Sequence, residues 1–107
     1  MPNQNYGVVL VTVSSLPEAK AIATQLVEAK LAACVNLLPI ESIYLWQEKI
    51  DHDKEYQLII KTDLTKFERL ADKIKTLHTY EVPEIIAIPI VAGSKTYLDW
   101  LKSSLQD

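Results

Sequence analysis

The run His78-Thr79-Tyr80-Glu81-Val82-Pro83-Glu84-Ile85 gathers an imidazole, a phenol and two carboxyl groups into one short break between apolar segments. Groups of these types bind cations, move protons or orient polar ligands. Pro83 pushes Val82 out of the helical region, so the run ends a helix and feeds an extended strand. Polar residues on a loop of fixed shape point to a binding site more readily than the same residues on a solvated helix face; the alternative is a well-capped connection. Cys34, the single cysteine, is the one soft ligand, with a buried structural thiol as its plainer reading. Cys34 and His78 together would suit copper or zinc rather than magnesium if the fold joins them. At a helix end, however, His78 also serves to complement the dipole. Asp51-His52-Asp53 has the look of a metal triplet, but it falls in a polar stretch, Gln47 to Asp53, that is expected to be a hairpin tip, where a solvated turn suffices. No pair of ligands has the local spacing of a structural zinc site.

Tyr80, Glu81 and Glu84 can complete a pocket with His78, or one of the two carboxyl groups can instead cap backbone donors or pair with Lys61 across an interface. Tyr44, Trp46, Tyr97 and Trp100 form an aromatic set that either lines a cleft between subunits or anchors packing. Catalysis has little to stand on. Nothing near Cys34 in the sequence activates its thiol as a nucleophile, and with glycine only at positions 7 and 93 there is no phosphate-cradling loop.

The elements that must position these groups belong to a single domain, since 107 residues support one modest core. Hydrophobic residues are 49% of the chain, which places it among folded rather than disordered sequences. A net charge of −3 leaves no footprint for nucleic acid or an anionic membrane. No apolar stretch approaches spanning length, and Met1 to Asn5 lacks the charged and apolar regions of a signal peptide. With one cysteine, a reducing, cytoplasmic setting is expected.

Tyr6 to Val13 reads as a strand. Ser15 and Glu18 fit a capping box, and Ala19, Ile22, Ala23, Leu26 and Val27 recur at helical spacing to about Lys30. Ala33 to about Trp46 is extended, with Pro39 interrupting it, and Glu55 to Thr62 returns as a strand. Asp63 is placed to cap a helix whose inward face is Phe67, Leu70, Ala71, Ile74 and Leu77. Glu84 to Val91 is a fourth strand, and Gly93-Ser94 opens a terminal helix. The order strand, helix, strand, strand, helix, strand predicts an α+β, ferredoxin-like two-layer sandwich with an antiparallel sheet and an extra C-terminal helix. Right-handed crossovers put the first and third strands in the middle, so Pro39 and Pro89 fall on edge strands, where a missing donor is tolerated. The strands are apolar at both parities, as in Val8-Val9-Leu10-Val11 and Ile85-Ile86-Ala87-Ile88. A face left wet would expose a large apolar patch, which predicts a homo-oligomer with sheets packed face to face.

Leu31-Ala32-Ala33-Cys34-Val35-Asn36, Pro39, Ser42-Ile43-Tyr44-Leu45-Trp46, Glu55, Lys61-Thr62, the run from His78 to Ile85, Gly93 and Tyr97-Leu98-Asp99-Trp100 resemble, in order and spacing, the CutA divalent-cation-tolerance proteins. The resemblance spans nearly the whole chain. It implies a homotrimer similar in architecture to the PII signalling proteins, with Tyr44, Trp46 and Trp100 at the trimer interface. It also implies a non-enzymatic role in tolerance of divalent metal ions, copper among them. Some members carry a second cysteine and a second histidine discussed as copper ligands, where this chain has Val11 and Leu77. The copper set carried over is therefore Cys34, His78 and Glu84, bound weakly. A PII-like ligand cleft would be formed by Lys61, Tyr80, Glu81 and Trp46. Two positions depart from the family pattern: Thr79 replaces a proline, removing a constraint on the loop, and Glu48 replaces a glycine in the turn after Trp46.

Overall fold

Alternating Val9, Val11 and Val13 put three branched side chains on one face of the first strand, β1 (Tyr6–Val13), and all three are completely buried. This computed structural model describes residues 5–106. Ser15 caps the first helix, α1 (Leu16–Glu28), its Oγ accepting from the Glu18 N–H at 3.3 Å. The reciprocal half of the expected capping box is missing, because the Glu18 carboxyl is used elsewhere. Past the helix, Lys30 takes a positive φ of 62°, turning the chain back so that Leu31 and Ala32 bury beneath α1.

The second and third strands, β2 (Cys34–Trp46) and β3 (Lys49–Asp63), form one long hairpin paired without interruption from Cys34↔Lys61 to Trp46↔Lys49. The expected polar tip from Gln47 to Asp53 is corrected by this pairing: the turn is only Gln47 and Glu48, and Asp51, His52 and Asp53 lie within β3. Cross-strand partners account for the difference. His52 meets Glu41 at 2.7 Å and the Tyr44 hydroxyl donates to Asp53, so polar residues are tied into the ladder.

Asp63 caps a single 3-10 turn, Leu64–Lys66, rather than the helix itself; its carboxyl accepts from the Thr65 N–H at 2.8 Å. The second helix, α2 (Phe67–Leu77), follows and buries Leu70, Ala71 and Ile74. The fourth strand, β4, is shorter than expected, at Ile86–Pro89. The last helix is α3 (Lys95–Ser104).

Sheet order is β2-β3-β1-β4, and both pairs made by β1 are antiparallel. As expected, β1 and β3 are central and the two prolines sit on edge strands. The main core lies between one sheet face and α1 and α2, built from Val9, Val11, Ile22, Leu26, Leu58, Ile60, Leu70 and Ile74. Thr62 is buried among them without penalty, because its hydroxyl donates to the Leu31 carbonyl at 2.7 Å.

The hairpin outruns the rest of the sheet. The last pair linking β1 to β3 is Val13↔Tyr56, and Tyr56 faces Pro39, so residues 40–55 project as two strands alone. The molecule is correspondingly long, 47 × 25 × 22 Å. Ile43 and Ile50 are each 71% exposed on this arm and Leu45 is 67% exposed.

Candidate functional site

β4 pairs with β1 only from Gly7 to Leu10, leaving the Thr12 carbonyl beyond the ladder's end. His78, the residue capping α2, fills that gap: its Nε2 donates to the Thr12 carbonyl at 2.7 Å, and its Nδ1 accepts the Tyr80 N–H at 3.0 Å. The ring is wholly buried, and both nitrogens are engaged in the tautomer that carries hydrogen on Nε2. A metal could take either nitrogen only by breaking one of these bonds. The expected dipole role is also displaced, since the imidazole turns to β1 instead of the final carbonyls of α2.

Thr79 supplies the second pin. Its N–H donates to Glu18 Oε2 at 3.2 Å, and its hydroxyl lies 3.1 Å from the same oxygen. Burial alone would raise the Glu18 pKa, but hydrogen bonds from the Thr79 N–H and from the Ser14 and Thr79 hydroxyls, with His78 alongside, outweigh it and hold the carboxyl below the ordinary glutamate range. The departure from proline therefore adds a constraint instead of removing one, because proline has no N–H to give. The third pin is Tyr80, whose hydroxyl donates to Glu55 Oε2 at 2.6 Å. Burial and the Glu55 carboxyl push the phenol's pKa well up, keeping it a donor.

These pins carry the loop from the helix layer, past the end of β1, to the uncovered side of the projecting hairpin. A cleft of about 770 Å³ lies between them. Tyr44, Trp46, Asp51, Asp53 and Glu55 line its hairpin side, and Tyr80, Glu81, Val82 and Glu84 its loop side. Tyr44 donates to Asp53, and that bond, ahead of burial, raises the phenol's pKa to about 12. Among the described residues, five carboxyl groups line the cleft, and neither lysine nor arginine does.

Of the expected cleft residues, Tyr80, Glu81 and Trp46 are brought together. Lys61 of the same chain is not: it sits at the far end of β3, its ammonium donating to Asn36. Of the expected metal set, Glu84 lines the cleft, while Cys34 is half-buried opposite Lys61. Thr12 pairs with Gln57 and Cys34 with Lys61, so His78 and Cys34 are offset by four residues, about 13 Å along the strands. Among the described residues, no three His, Cys, Asp or Glu side chains are grouped to hold a metal ion. The Asp51-His52-Asp53 triplet is divided by strand alternation, with His52 on the opposite face. Trp100 lies away from the cleft, against Tyr97 at 5.5 Å.

Sequence reasoning missed Asp51, Asp53, Glu55 and Glu18 as parts of this arrangement. Alternate acidic residues in a strand would have marked the first three, had the strand been recognised.

Fold and cleft together define an α+β sandwich of ferredoxin-like topology with a long projecting hairpin and an acidic, aromatic-walled cleft. Residues 7–104 match the model of the CutA1 divalent ion tolerance protein family, and the chain belongs to that family. The divalent-cation tolerance protein CutA of Thermus thermophilus is 49% identical over 98 residues, which cover 91% of this chain and 95% of that protein. Among solved structures, the periplasmic divalent cation tolerance protein CutA from Archaeoglobus fulgidus superposes with a TM-score of 0.93 at 42% identity, covering 94% of this chain and 99% of that one. CutA from Synechococcus elongatus gives 0.94 at 38% identity, covering 99% and 95%. Among the described residues, no helix is long and apolar enough to cross a membrane.

Proposed function

We propose that this chain is a non-enzymatic, cytoplasmic homotrimer that serves divalent-cation tolerance by binding copper or another divalent cation weakly, without partners among nucleic acids or membranes. Membership of the CutA1 family supports the tolerance role. The observation that carries the binding is the cleft, where, among the described residues, Asp51, Asp53, Glu55, Glu81 and Glu84 stand without a basic residue. Their separation suits a hydrated ion held loosely by the field of several carboxyl groups, not a chelated one. Glu84 is kept from the expected ligand set; Cys34 and His78 would have to act outside the cleft. Isothermal titration with copper tests this: uptake should weaken in Asp53→Asn and Glu84→Gln. Uptake lost only in Cys34→Ser would place the ion elsewhere, and no uptake at all would reject the reading.

A second reading is a PII-like trimeric module whose clefts between subunits hold a small molecule. The cleft's volume supports it, being that of a small-ligand site. Thermal-shift screening of metabolites separates the two, because a ligand of the native assembly raises its melting temperature by mass action.

A further inference from the structure

We draw no further inference here: the strongest candidate, the side-chain cluster at the start of β2 where Cys34 pairs with Lys61 across the hairpin and the Lys61 ammonium donates to Asn36, rests on a lone cysteine, with no unpartnered buried side-chain polar atom among the described residues to point to a ligand.

Discussion

His78 illustrates how a residue with the chemistry of a ligand can be spent on architecture. Its two nitrogens satisfy the Thr12 carbonyl and the Tyr80 N–H, so His78→Ala leaves two backbone groups without partners. Chemical denaturation should show a loss of about 1–3 kcal/mol, while copper uptake by the cleft should be retained as long as the fold is. Glu48 presents the opposite case, an exposed residue carrying a backbone cost. It follows Gln47 in the hairpin turn, with φ values of 66° and 50°, where a Cβ is unfavourable by about 1–2 kcal/mol. Glu48→Gly should therefore raise the melting temperature, despite glycine's greater freedom in the unfolded chain. The turn after Trp46 was legible in the sequence as a polar stretch, but its length was not, because the cross-strand partners of Asp53 and His52 lie on β2.

At the scale of elements, the loop between α2 and β4 is held by three others: α1 through Glu18, β1 through Thr12, and β3 through Glu55. Against burial, which raises it, the Glu18 carboxyl is held below the ordinary value by the hydrogen bonds it accepts from Thr79 and Ser14, with His78 alongside. Its contribution is therefore fully present above the unfolded glutamate pKa of about 4.3 and is lost as pH falls through the lower folded value. Amide hydrogen exchange of residues 79–84 should quicken on acidification over that range, relative to exchange in the core strands. Glu18→Gln should show the faster exchange already at neutral pH and a much smaller change with acid. If the loop's protection in the native chain did not respond to acid, Glu18 would not be what secures it.

For the whole molecule, the projecting hairpin is the feature that a lone chain explains least well. Two-stranded ribbons are marginal in water, yet this one carries Ile43, Leu45 and Ile50 largely exposed. The proposed homotrimer would account for the exposure by covering them. Light scattering should then give three times the chain mass of 12.1 kDa, and a stable monomer at micromolar concentration would sink the idea. Ile43→Lys should dissociate the assembly and make the melting temperature depend on protein concentration, as expected when association supports the fold.

Strand and helix order, the central places of β1 and β3, and the edge positions of Pro39 and Pro89 could all be derived from local pattern, since period, capping and proline chemistry act over a few residues. The run from His78 to Ile85 was likewise legible as the place where polar chemistry gathers. Tertiary structure alone decided which of its groups remain available. His78 is occupied by Thr12, 66 positions away, and Thr79 by Glu18, 61 away. Cys34 and Lys61 are set at the other end of the sheet, and Asp51, Asp53 and Glu55 face the loop in their place. Hydrogen-bond partners and strand register at such separations leave no periodic trace along the chain. The residue types announced polar chemistry; the fold chose the carboxyl groups that line the cleft.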